Sequence, residues 1–114
     1  FHEPVPRDEF VRRLEEYYGH PAHVVPGGPD PVRSAGLVSG GAAKEVMEAV
    51  RAGLDAYVTG EPGEPATYLA REAEITFAAL GHYATERVGV RALAKHLSER
   101  FGLQTLFIEV ENEA

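Results

Sequence analysis

The 114-residue chain has no cysteine, no tryptophan and a single methionine. Without cysteine, disulfides and thiolate metal sites are excluded, and any metal must be held by His, Glu, Asp or water. A thiol-free chain also suits the reducing cytosol, so a cytoplasmic location is expected. Long apolar runs are missing too: none approaches the roughly 20 residues that a membrane span needs. No basic segment leads into an apolar stretch as in a signal peptide. Positive charge is never in excess. The formal net charge is −7, with nine acids and six Lys/Arg in residues 1–57 and nine and five in residues 58–114. Broad nucleic-acid or anionic-membrane contact is therefore not expected, which leaves open a local phosphate site at a helix N-terminus.

Several catalytic signatures are absent as well. There is no HExxH pair, no GxxxxGK[ST] or GxGxxG loop, and no GxSxG elbow around Ser39. Zincin, nucleotide-triphosphate, dinucleotide and serine-hydrolase chemistries are not expected on that basis.

The length suits one domain with a modest core. The first residue is Phe1 rather than methionine, so the chain is expected to be part of something longer: residues 1–5 a linker or the tail of a preceding segment, residues 6–114 a single α/β domain. A helix opening at Pro6 carries Phe10, Val11, Leu14, Tyr17 and Tyr18, and Gly19 ends it. The stretch from His20 to Pro26 reads as extended, with a turn at Gly27–Pro31. His20 and His23 read there as surface or strand-edge residues. Ser34–Ser39 predicts a strand, Ala43–Ala52 a helix with Val46, Met47 and Val50 inward, and Asp55–Thr59 a strand. The loop at 60–65 holds two acids and two prolines. Ala66–Ala73 predicts a helix, Ile75–Ala79 a strand, Gly81–Phe101 a long helix, and Gln104–Val110 a last strand before a polar tail, Glu111–Ala114. Alternating helix and strand patterns indicate an α/β fold, a three-layer α/β/α sandwich with a mixed, largely parallel sheet. Ligands in such folds collect beyond the carboxyl ends of the strands. Three loops meet that description, at Ser39–Ala42, Thr59–Glu64 and Leu80–Tyr83.

His82 and Glu86 lie one turn apart at the start of the long helix and point the same way. Imidazole and carboxylate both suit a divalent metal, but two residues do not complete a site. Behind them Val90, Leu93, Ala94, Leu97 and Phe101 read as a core-facing stripe. Glu61 and Glu64, in the neighbouring loop, are candidates for a proton-moving base, for a partner that orients His82, or for solvated acids. The Ser39-Gly40-Gly41 turn could cradle an anion with backbone amides. Arg87 and Arg91 face away from His82, towards solvent or another subunit. Tyr83 fits a pocket wall or an interface equally.

Val58-Thr-Gly-Glu together with Ala79-Leu-Gly-His-Tyr-Ala-Thr-Glu-Arg-Val-Gly-Val-Arg-Ala-Leu resembles the C-terminal half of the GTP cyclohydrolase I type 2 homologues, also known as NGG-interacting-factor-like proteins. Val38-Ser-Gly-Gly-Ala is similar to their glycine-rich loop, and Phe107-Ile-Glu-Val-Glu-Asn to their closing strand. The resemblance implies one of two related α/β domains that face each other across a dinuclear metal site, assembled as toroidal homohexamers. It implies two divalent ions per full-length subunit (Zn, Fe, Mn, Ni or Co), with His82 and Glu86 as the ligands from this part. The remaining ligands, two adjacent histidines and an aspartate, have no counterpart here. Tyr83 stands where a second histidine often follows.

A two-metal centre suits hydrolysis of a small phosphorylated or nucleotide-like substrate, with Glu61 or Glu64 as catalytic proton carriers. The alternatives are a non-enzymatic metal-handling or interaction scaffold, and a structural domain with an empty half-site.

Overall fold

The computed structural model describes residues 3–110 and 112. The sequence expectations for Phe1, His2 and the tail residues Glu111, Glu113 and Ala114 lie outside these. Helix α1 (Arg7–Tyr18) ends at Gly19, whose left-handed conformation (φ 67°) lets its N–H reach back to the Glu15 carbonyl. The short strands β1 (His23–Val25) and β2 (Ala35–Leu37) follow. A single turn of 3-10 helix at Ala43–Glu45 leads into α2 (Val46–Arg51), where one continuous helix was expected. Then come β3 (Ala56–Thr59), α3 (Glu64–Glu72), β4 (Thr76–Ala79) and α4 (His82–Phe101).

The sheet order is β1-β4-β3-β2, with β2, β3 and β4 parallel and β1 antiparallel to β4. Strands β3 and β4 are central and buried along their whole length. That explains their unbroken runs of apolar and threonine residues, since both faces are covered. Alternation assigns side chains to two layers. Val25, Tyr57 and Phe77 meet Val46, Ala49, Ala66 and Ala70 from α2 and α3. Val58, Ala78 and Leu80 meet Phe10 and Tyr18 of α1 and Val88 of α4. The expected three-layer α/β/α architecture with a mixed sheet is what forms. Burying a residue such as Phe77 completely stabilises by about 1.5–3 kcal/mol.

Val5, at the end of the stretch read as a linker, exchanges two backbone hydrogen bonds with Val32 and packs on the second cluster. At the other end, Gln104–Val110 forms no strand, contrary to the sequence expectation. Its alternation is strand-like, but no strand of the described sheet pairs with it. The stripe on α4 also departs from expectation. Val90, Leu93 and Phe101 are exposed, and Ala94 and Leu97 only half-buried. The cause is a mismatch of length. Twenty helical residues extend about 30 Å, whereas a four-residue strand covers about 13 Å. Only the first turns of α4, with Ala84, Thr85 and Val88, lie over the sheet.

Candidate functional site

Parallel strands β2, β3 and β4 deliver their following loops to one edge, and backbone hydrogen bonds lock the three turns together. The Gly60 N–H donates to the Gly40 carbonyl (2.9 Å), and the Gly81 N–H to the Gly60 carbonyl (2.8 Å). Thr85, buried in the first turn of α4, accepts the Gly40 N–H on Oγ1 (3.0 Å) and donates its hydroxyl to the Gly81 carbonyl (2.9 Å). The Thr59 hydroxyl donates to the Gly40 carbonyl (3.1 Å), while its oxygen receives the Ala42 N–H (3.3 Å). Tyr57 donates to the Ala42 carbonyl (2.6 Å). The loop convergence expected from the sequence is thus made physically, by groups that satisfy one another.

His82 is the first residue of α4 and projects over this platform. Its Nδ1–H donates to Oε1 of Glu61 (2.5 Å), and its Nε2 stands 3.2 Å from Oε1 of Glu86. A carboxylate only accepts, so the Glu61 contact fixes the proton on Nδ1 in the neutral ring. All three side chains are partly exposed. The Glu61 hydrogen bond pushes the His82 imidazole above its ordinary pKa; burial opposes this and the Glu86 charge adds to it. Gly40 lies beneath the pair. A Cβ there would stand 2.6 Å from Glu86 Oε1 and 3.2 Å from His82 Nε2, so the absence of a side chain is what admits both groups.

The arrangement has the donor chemistry for one side of a divalent metal. A nitrogen and an oxygen face each other, and the second imidazole nitrogen is held by a carboxylate, which orients metal-binding histidines and raises their basicity. His82 and Glu86 could hold such an ion, with Glu61 behind them. Glu61 is committed to Nδ1, and among the described residues no group of three or more His, Asp or Glu is disposed to hold a metal. A complete site needs donors from elsewhere.

Glu64, the other loop acid of the sequence reading, starts helix α3 instead. It is exposed and borders neither the cavity that Glu61 lines with His20 and His23 nor the one it lines with Lys44 and Pro65. The Ser39-Gly40-Gly41 turn, which could have cradled an anion, has part of its backbone used by the chain itself. The Gly40 amide is used by Thr85, and the Glu61 carboxylate lies over Gly41, where it would repel a phosphate. Tyr83, Arg87 and Arg91 share one partner, Glu109, beyond the end of α4. Sequence reasoning did not single out Thr85, although a threonine three residues into a helix that follows a glycine turn is a signal for such a bond. It also gave His20 and His23 no role, yet both border a cavity with Glu61 and His82.

The family model described as Duf34/NIF3 (NGG1p interacting factor 3) matches residues 1–114. A Chlamydia pneumoniae protein named "GTP cyclohydrolase 1 type 2 homolog" is 43% identical over 110 residues, covering 96% of this chain and 44% of its own. Among solved structures, protein ybgI, described as of unknown function, is similar at TM-score 0.88 and 37% identity, covering 98% of this chain and 46% of its own. The protein TTHA1606 from Thermus thermophilus is similar at TM-score 0.86 and 32% identity, covering 98% and 45%. The chain therefore spans less than half the length of these relatives. With its full length matched and this level of identity, the chain belongs to the Duf34/NIF3 family.

Proposed function

We propose that this chain supplies one side of a dinuclear metal centre, with His82 and Glu86 as ligands, in a metal-dependent hydrolase of a small phosphorylated or nucleotide-like substrate. The observation that carries the reading is His82 itself: Nδ1 held by Glu61 and Nε2 facing Glu86 over a glycine that leaves room for both. The relatives' name supports a nucleotide-like substrate. The ions, two per full-length subunit and of a kind suited to N and O donors (Zn, Fe, Mn, Ni or Co), would lower the pKa of a water and offset charge on a phosphoryl or carbonyl oxygen. The chain's own part is orientation. Glu61 fixes the His82 tautomer, Thr85 and Gly40 fix the platform, and Glu86 supplies negative charge. Of the two acids considered as proton carriers, Glu61 lies at the pair and Glu64 does not.

Assembly as a homohexamer belongs to the same reading. Exposed Leu93, Leu106 and Ile108 are apolar surface that contacts between subunits, or with the rest of a longer chain, would cover. The test uses the full-length protein: metal content, and turnover of a panel of nucleotides and phosphomonoesters. Metal-dependent turnover that is lost in His82→Ala supports hydrolysis. Full turnover in a metal-free preparation overturns it.

A second reading, a metal-handling scaffold without turnover, is favoured by one observation. Glu61, the candidate base that lies at the pair, is already engaged with His82. Bound metal with no turnover across the panel would select it.

A further inference from the structure

On the Glu61 side of His82 lies a cavity of about 440 Å³. One wall comes from a segment that the metal reading leaves unused: His20, Pro21 and His23. Topology brings it there. Because β1 is antiparallel to β4, its first residue His23 pairs with Ala79, the last residue of β4. The start of β1 therefore sits at the carboxyl edge of the parallel strands, beside the three turns.

The His20 ring is positioned from two sides. It lies against Gly81, 3.0–3.3 Å from where a Cβ would begin, so any side chain at that position would displace it. Its Nδ1 stands 2.7 Å from the Pro21 carbonyl, which only accepts, so the proton of the neutral ring is on Nδ1. Nε2 is then a hydrogen-bond acceptor. Pro21 and Pro62 add apolar ring faces to the lining, and Glu61, His23 and His82 add polar groups. Among the described residues, neither lysine nor arginine contributes to it. With a carboxylate at its edge and no such cation in its wall, the cavity disfavours phosphate and favours an uncharged group that donates hydrogen bonds.

We propose that this cavity is the subsite for the uncharged, N–H-bearing heterocycle of a nucleoside-like ligand, with His20 Nε2 accepting a ring N–H. The proposal rests on the nucleotide-like substrate class of the reading above, but it does not require bound metal. Any phosphate of the ligand points out of this cavity.

The experiment titrates full-length protein, stripped of metal with a chelator, with guanosine, adenosine and ribose 5-phosphate by calorimetry. Saturable binding of guanosine, which carries a ring N–H, is expected, with weaker binding of adenosine, which carries none, and no competition from ribose 5-phosphate. His20→Ala should weaken it about three- to tenfold, the worth of one neutral hydrogen bond. His20→Gln, which retains an acceptor, should recover part of the loss. Absence of saturable guanosine binding, equal affinity for adenosine or ribose 5-phosphate, or unchanged affinity in His20→Ala each overturns the subsite. None of these results touches metal ligation by His82 and Glu86, which is read from metal content. Conversely, nucleoside binding by a protein with no metal-dependent turnover keeps the subsite and removes the hydrolase.

Discussion

Glu61 Oε1 stands 2.5 Å from Nδ1 of His82, a contact made across the whole of helix α3 and strand β4. It presents the other imidazole nitrogen towards Glu86 and gives an exposed loop acid a defined task. Removing it should leave the fold intact, since Glu61 is exposed and the preceding Gly60 is held by backbone bonds to Gly40 and Gly81. Partners of this kind are worth about 10–100-fold in metal affinity. Glu61→Ala in the full-length protein is expected to lose affinity on that scale in a competition titration against a chelator, with an unchanged circular dichroism spectrum. Glu61→Gln should fall between, because its amide oxygen still accepts from Nδ1 but carries no charge. Wild-type affinity in Glu61→Ala would remove the orienting role.

Gly40 offers a way to disturb the pair without touching either side chain. At φ 70° an L-residue is strained by about 1–2 kcal/mol. The new methyl would also meet Glu86 Oε1 at 2.6 Å and His82 Nε2 at 3.2 Å. Both are the far ends of side chains, which can move aside, so the steric conflict is relieved by displacing the two proposed ligands. Gly40→Ala is therefore expected to cost about 1–2 kcal/mol in urea denaturation and to lose metal out of proportion to that cost. Gly53→Ala is the matched control: φ is 67° and nothing lies within 4 Å, so it incurs backbone strain alone. Equal metal content in the two variants would sever the link between Gly40 and the site.

Much of this was legible in the sequence because it is local. Gly19 and Gly53 ended helices as expected, and the apolar runs of β3 and β4 announced strands covered on both sides. The placement of three loops at the carboxyl ends of strands predicts the convergence that Gly40, Gly60 and Gly81 make. What escaped depends on partners distant in the chain. The placement of His20 and His23 at the cavity follows from the antiparallel register of β1 on β4, which no local pattern encodes. The alternation in Gln104–Val110 is strand-like, but a strand also needs a neighbour, and none pairs with it in the described sheet. The stripe on α4 is apolar as its spacing indicates but is not core, because the helix outruns the sheet beneath it. Leu106, 84% exposed, and Ile108, 74% exposed, show the same surplus on the segment after it.

That last segment is held to α4 through one carboxylate. Glu109 accepts from the Tyr83 hydroxyl (2.8 Å), from Arg87 (2.9 Å) and from Arg91, while the Phe107 ring lies 4.3 Å from the Arg91 guanidinium carbon. Tyr83 is the largest influence holding Glu109 below its ordinary pKa, and the two arginines act in the same direction. A carboxylate whose folded pKa is lowered contributes stability above its unfolded value, about 4.3, and loses it as pH falls through the lowered folded value. The attachment should therefore be intact at neutral pH and released only in acid, below the range in which most glutamates protonate. Carbon-13 NMR of the Glu109 carboxyl is expected to show a midpoint beneath those of the other glutamates, and Tyr83→Phe should move it upward. Glu109→Gln should loosen residues 103–110 already at pH 7, seen as lower backbone order parameters. A Glu109 midpoint in the ordinary glutamate range, unmoved by Tyr83→Phe, would mean that the segment is not held in this way.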